Sequence, residues 1–115
     1  RIEASRAGDA ELGETFAGWG IATPESIRQL RRIDGVTVIA SGGLRNGIDV
    51  AKAIALGADL AGLAQPFLEA ALDSADQVER RIERILHELR IAMFCLGART
   101  VPELARAAIV EERDR

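Results

Sequence analysis

The sequence holds a single cysteine, Cys95. No disulfide can form within the chain, and a reducing, cytoplasmic setting is expected. Aromatics are as scarce: three Phe, one Trp and no Tyr, too few to stack on a run of bases. Positive charge is not in surplus either. Lys plus Arg number 15 against 18 Asp plus Glu, for a net charge of −3 at pH 7, so no basic field exists to hold nucleic acid. Three Pro and 11 Gly in 115 residues exclude collagen-like and low-complexity chains. No apolar run approaches the roughly 18 residues of a membrane helix, because Lys52, Asp59, Gln65 and Glu69 punctuate the most hydrophobic stretch. Neither nucleic acid nor a membrane is an expected partner. An initiator Met is also lacking: the chain begins Arg1-Ile2-Glu3, which reads as the continuation of something longer.

What is present, 48% hydrophobic and 29% charged residues, suits a folded α/β segment of one domain. Gly8, Gly13, Gly18 and Gly20 make Ser5 to Gly20 a long loop, closed by an apolar plug of Phe16 and Trp19. Thr23-Pro24-Glu25 supplies an N-cap, a helix-starting proline and an early carboxylate for a helix to about Arg32. After Asp34-Gly35, the β-branched run Val36–Ala40 predicts a strand buried on both faces. Asn46 caps the next helix, which Gly57 ends, and Leu60–Ala64 forms a second strand. Strand, helix, strand at this spacing means parallel strands joined by a crossover helix. A short helix follows Pro66. Ser74-Ala75-Asp76-Gln77 then opens a long one, with Ile82, Ile85, Leu86, Leu89, Ala92, Met93 and Leu96 on one stripe and Gly97 as the stop. Thr100-Val101-Pro102-Glu103 opens a last helix through about Ile109, and the tail Glu111 to Arg115 frays.

Chemistry concentrates in Ala40-Ser41-Gly42-Gly43-Leu44-Arg45-Asn46-Gly47, between a strand end and a helix N-terminus. Glycines let amides approach an anion, the helix end adds partial positive charge, and Arg45 offers a planar fork to phosphate oxygens. The plain alternative is a glycine turn with Arg45 solvated. A dinucleotide fingerprint fails because Leu44 stands where its second glycine belongs, and a Walker loop fails because Ile48 replaces its lysine. The second strand ends at Ala64-Gln65-Pro66, at the same end of the sheet, so two loops can share one ligand. His87, among Arg84, Glu88 and Arg90, reads as solvated, Cys95 as a buried structural thiol, and the charged face from Asp76 to Arg90 as a solvated surface or subunit contact.

Four segments together, Phe16 to Thr23, Ile39 to Gly47, Ala64 to Leu68 and Glu88 to Phe94, resemble type 2 isopentenyl diphosphate isomerase over nearly the whole chain. The glycine-arginine loop is similar to that of other FMN-dependent barrels, while the tryptophan loop and Leu89-Arg90-Ile91-Ala92-Met93-Phe94 narrow the choice. The resemblance implies that residues 1–115 are the C-terminal segment of one FMN-binding (β/α)8 barrel, with its last two parallel strands and their flanking helices, the N-terminal part lying outside the chain. By the family pattern Gly43, Leu44, Arg45, Ala64 and Gln65 contact the FMN phosphate, with Ser41 and Gly42 supporting the loop. Ala22 stands where the family usually has Pro. The implied reaction interconverts isopentenyl and dimethylallyl diphosphate, with reduced FMN in proton transfer, NADPH as reductant and Mg2+ neutralising the diphosphate. Carboxylates for the metal and groups for the diphosphate belong to earlier strands of the family, so no catalytic or metal-binding residue is assigned here. Expected partners are a small-molecule diphosphate and further copies of the complete protein, as a homo-oligomer. The alternatives are an FMN-dependent oxidoreductase segment, similar to 2-hydroxy acid oxidases, and an inactive truncated piece.

Overall fold

A computed structural model describes residues 10–107. In chain order the elements are α1 (Ala10–Thr15), α2 (Thr23–Arg31), β1 (Ile39–Ala40), α3 (Gly47–Leu56), β2 (Leu60–Ala61), α4 (Gln65–Asp73), α5 (Ala75–Leu96) and α6 (Val101–Ala105). The expected loop from Ser5 to Gly20 is therefore interrupted by a short helix, its Ser5–Asp9 portion lying outside the described residues. In α1 the Thr15 hydroxyl donates to the Glu11 carbonyl at 3.2 Å.

The strands pair in parallel, Ile39 opposite Leu60 and Ala40 opposite Ala61. Both are shorter than Val36–Ala40 and Leu60–Ala64, and the flanking hydrogen bonds say why. Before the ladder, the Asp59 carboxylate accepts the Val38 amide at 2.8 Å, replacing a backbone partner with a side chain. The Val38 carbonyl in turn accepts Asp59 N–H at 2.8 Å. After the ladder, Gly62 N–H reaches the Ala40 carbonyl at 2.7 Å, and beyond it the chains part into the two loops.

Alternation along β1 decides which face is covered. Val38 and Ala40 join Ile27, Leu44, Ala53 and Ala58 in a core between α2, β1 and α3. Ile39 and its partner Leu60 turn the other way and are 61% and 56% exposed. The strands are thus covered on one face, not both, because no described residue packs over the second. A second core joins Val50, Ala51 and Ile54 of α3 to Leu104 of α6, which is fully buried, with Leu89, Ala92 and Met93 of α5 packed on it. On the α5 stripe Ile85 is buried, while Ile82, Leu86 and Leu96 stay exposed.

Local punctuation follows simple chemistry. Asn46 accepts the Asp49 amide at 2.9 Å, Ser74 the Gln77 amide at 3.2 Å and Thr100 the Glu103 amide at 3.3 Å, each satisfying an orphan donor of a helix start. The Glu103 carboxylate accepts Arg99 N–H at 2.7 Å, one residue earlier than a reciprocal capping box requires. Thr23 departs from expectation. Ala22 occupies the cap position of α2 with no side-chain bond, and the Thr23 hydroxyl is used elsewhere. The last helix ends at Ala105; Ile109 and the Glu111–Arg115 tail lie outside the described residues.

Candidate functional site

The site is built where β1 and β2 end. Because the strands are parallel, Ser41-Gly42-Gly43-Leu44-Arg45 and Gly62-Leu63-Ala64-Gln65 emerge at one end of the sheet. A Cβ placed on Gly62 would stand 3.6 Å from the Ser41 Oγ, so the loops lie in contact at their roots.

The first loop turns through two consecutive glycines with φ of +96° at Gly42 and +80° at Gly43, a region that residues with a Cβ avoid. Two bonds fix its outline. The Thr23 hydroxyl donates to the Gly42 carbonyl at 2.9 Å, and the Asp49 carboxylate accepts the Arg45 amide at 3.0 Å. Leu44 anchors the loop from below by burying its side chain in the first core. Among the described residues, no group accepts a hydrogen bond from the amides of Gly43 or Leu44, and none pairs with the exposed Arg45 guanidinium. Among the described residues, none beyond its chain neighbours lies within 4 Å of where a Gly43 Cβ would stand.

Of the residues expected to grip a phosphate, Gly43, Leu44 and Arg45 are thus brought onto one exposed loop, with Ser41 and Gly42 forming its rising limb. Arg45 is available through its side chain only, since Asp49 takes its amide. Ala64 caps α4, with Gln65 and Pro66 as its first residues. The Gln65 side-chain amide donates to the Glu69 carboxylate at 3.0 Å. Donors, a guanidinium and two helix N-termini around one strand end make an arrangement suited to an anion.

Two cavities lie to the α2 side of Arg45 and the second loop. One of about 290 Å³ sits between α2 and α3, lined by Thr23, Ile27, Gly42, Gly43, Leu44 and Lys52 among others. Another of about 190 Å³ runs along β1 from Ile21 and Thr23 to Ser41. Neither includes Arg45, Ala64 or Gln65 in its lining.

Other candidates resolve simply. His87 is exposed, as its polar neighbours suggest. Cys95 is exposed, not buried: it occupies the last turn of α5 on the side away from the second core. Phe16 and Trp19 do not plug a core. They meet edge to face with centroids 6.2 Å apart, and Trp19 is 83% exposed. The Glu25 carboxyl is held below its ordinary pKa by the Gln29 side-chain hydrogen bond first, then by Arg28; it lies in solvent on α2. Sequence reasoning missed Thr23 and Asp49 as loop-setting residues, since each acts through a contact that no periodicity announces. No helix among the described residues is long and apolar enough to cross a membrane.

Residues 21–111 match the FMN-dependent dehydrogenase family. The isopentenyl-diphosphate delta-isomerase of Synechococcus sp. is 47% identical over 114 residues, covering 96% of this chain and 33% of that protein. The isopentenyl-diphosphate delta-isomerase of Methanothrix thermoacetophila is 49% identical over 100 residues, covering 87% and 28%. Among solved structures, mandelate oxidase with a monooxide FMN adduct superposes with a TM-score of 0.70 at 32% identity, over 74% of this chain and 28% of its own. A lactate oxidase of Pediococcus acidilactici gives 0.72 at 30% identity, over 79% and 26%. The chain spans about a third of the length of the curated relatives it matches. Its two parallel strands and their helices correspond to part of an FMN-dependent (β/α)8 barrel, similar along nearly its whole length to type 2 isopentenyl-diphosphate isomerases. By fold and by sequence, the chain belongs to the FMN-dependent dehydrogenase family.

Proposed function

We propose that this chain forms the phosphate-gripping, C-terminal end of an FMN-binding barrel, and that the whole protein interconverts isopentenyl and dimethylallyl diphosphate. The observation that carries the reading is the loop after β1, where the Gly43 and Leu44 amides and the Arg45 guanidinium have no partner among the described residues, beside the start of α4. A phosphate monoester fits that set: amides approach it unobstructed at Gly43, where a Cβ would meet nothing within 4 Å, and a guanidinium matches two of its oxygens. Ala64 and Gln65 complete the cradle from the second loop, with Ser41 and Gly42 shaping the first.

Held there by its phosphate, reduced FMN supplies the proton-transfer chemistry of an isomerisation without net redox change. This chain's contribution is to bind and orient. Arg45 neutralises charge, the amides set the position of the phosphate, and the buried Leu44 keeps the loop from drifting. NADPH as reductant, Mg2+ on the substrate diphosphate, a homo-oligomeric state and a cytoplasmic setting belong to the same reading. The metal and the substrate diphosphate are assigned to parts of the protein outside this chain. The isomerase is preferred to a 2-hydroxy acid oxidase because identity is 47–49% with the former against 30–32% with the latter.

The test joins residues 1–115 behind the remaining N-terminal portion of the Synechococcus relative, giving a completed barrel. The purified protein is expected to retain FMN and, when the flavin is reduced and Mg2+ added, to convert isopentenyl diphosphate. The 115-residue chain alone is expected to convert none, because positioning accounts for about 7–11 kcal/mol of barrier lowering and the substrate-holding groups lie elsewhere. Oxidation of lactate or mandelate without isomerisation would select the oxidase reading. A completed barrel that binds no flavin would overturn both.

A further inference from the structure

We infer that Thr23 is a positioning residue whose hydroxyl orients the Gly42–Gly43 peptide and so aims the Gly43 amide at the ligand. The inference rests on the phosphate reading of the loop and adds to it a residue from a different element, 19 positions earlier in the chain.

A peptide between two glycines has little orientation of its own. Glycine populates positive and negative φ about equally, so the plane between Gly42 and Gly43 can turn over without a Cβ clash on either side. An external contact must choose. The Thr23 hydroxyl makes that contact, donating to the Gly42 carbonyl at 2.9 Å, and no other described group binds that oxygen. In a trans peptide, and all those described here are trans, the carbonyl of one residue and the amide of the next point in opposite directions. Holding the Gly42 oxygen toward α2 therefore turns the Gly43 N–H away from α2, and no described group accepts a hydrogen bond from it there.

The geometry is constrained at both ends. Thr23 sits at the first position of α2, whose Ile27 is buried in the same core as Leu44, so hydroxyl and loop are set on one packed base. On the far side Asp49 fixes the Arg45 amide at 3.0 Å, leaving the peptide between the glycines as the free joint. The Thr23 side chain makes no capping bond for its own helix, so its hydroxyl has no competing task. A Cβ at Gly42 would stand 3.4 Å from the Thr23 Oγ1, so loop and hydroxyl are in contact as well as bonded.

The experiment compares FMN with riboflavin in the completed barrel, since the two differ only in the phosphate. Three proteins are titrated: unsubstituted, Thr23→Val and Thr23→Ser. Valine keeps the shape and loses the donor; serine keeps the donor. Thr23→Val is expected to reduce the FMN-over-riboflavin preference by about three- to tenfold, the range for losing one neutral hydrogen bond, with riboflavin affinity unchanged. Thr23→Ser is expected to keep the preference. Equal loss of both ligands in Thr23→Val, or a Ser variant as weak as the Val variant, would overturn the inference, because packing and not the hydroxyl would then be responsible. If Thr23→Val does not fold, Thr23→Ala replaces it as the variant without a donor, and its ratio is compared with that of Thr23→Ser in the same way. An unsubstituted protein that shows no preference for FMN would instead refute the phosphate reading on which the inference stands.

Discussion

Replacing Gly47 with alanine tests the packing that sets the candidate site. Gly47 is the first residue of α3 and is buried. A Cβ there would fall on the Ile85 carbonyl and the Leu89 amide of α5 and come within 2.6 Å of the Glu88 Cβ. Ordinary contact begins near 3.4 Å, and two of the three obstacles are backbone, so α3 and α5 must separate by about 1 Å. Overpacking of this kind costs about 1–3 kcal/mol. The opposing term is small: alanine is favoured over glycine by up to about 1 kcal/mol inside a helix, and less at its first position. The balance is destabilising. Gly18→Ala is the control, since Gly18 carries no positive φ and its Cβ would meet nothing within 4 Å, so a change within about 0.5 kcal/mol is expected. Urea unfolding of the completed barrel should show a lower midpoint for Gly47→Ala at an unchanged slope. A Gly47→Ala protein as stable as Gly18→Ala would refute the close approach of α3 to α5.

Other outcomes follow from exposed and capped groups. The 115-residue chain expressed alone is expected to bind a hydrophobic dye and melt without a sharp transition, because Ile39, Leu60, Leu72, Phe94 and Trp19 stand exposed and, among the described residues, the two-stranded sheet has an open edge on either side; a cooperative, monomeric melt would contradict it. Asn46→Ala removes the acceptor for the Asp49 amide and should cost about 0.5–2 kcal/mol, while Asn46→Asp restores most of it, both read by urea midpoint.

Local chemistry was legible in the sequence and long-range contact was not. Asn46, Ser74 and Thr100 announce helix starts because a short polar side chain before an apolar periodicity has one use, and Gly57 and Gly97, at φ of +127° and +73°, announce ends. The glycine-arginine loop was legible for the same reason, its residue types permitting a backbone path that others do not. α1 was hidden by the glycines around it: six residues without a buried face leave no stripe to read. Val36 and Ala64 fell outside the strands because a ladder ends where its partner does, and Asp59 ends it with a side chain. Ile39 looked like a core residue since β-branched runs usually are, yet what would cover it is not among the described residues. Thr23 matched a capping pattern and proved to reach across 19 positions, a contact fixed by how α2 packs and visible only in three dimensions.

The phosphate grip itself is tested most directly at Arg45. In the completed barrel, Arg45→Ala removes a guanidinium that has no protein partner among the described residues, so folding should be unaffected and ligand binding alone should change. Loss of a charge-assisted hydrogen bond of about 1.5–3 kcal/mol corresponds to FMN binding roughly ten- to 150-fold more weakly, with riboflavin unchanged. Equal weakening of FMN and riboflavin, or no weakening of either, would contradict the assignment of this loop to the FMN phosphate.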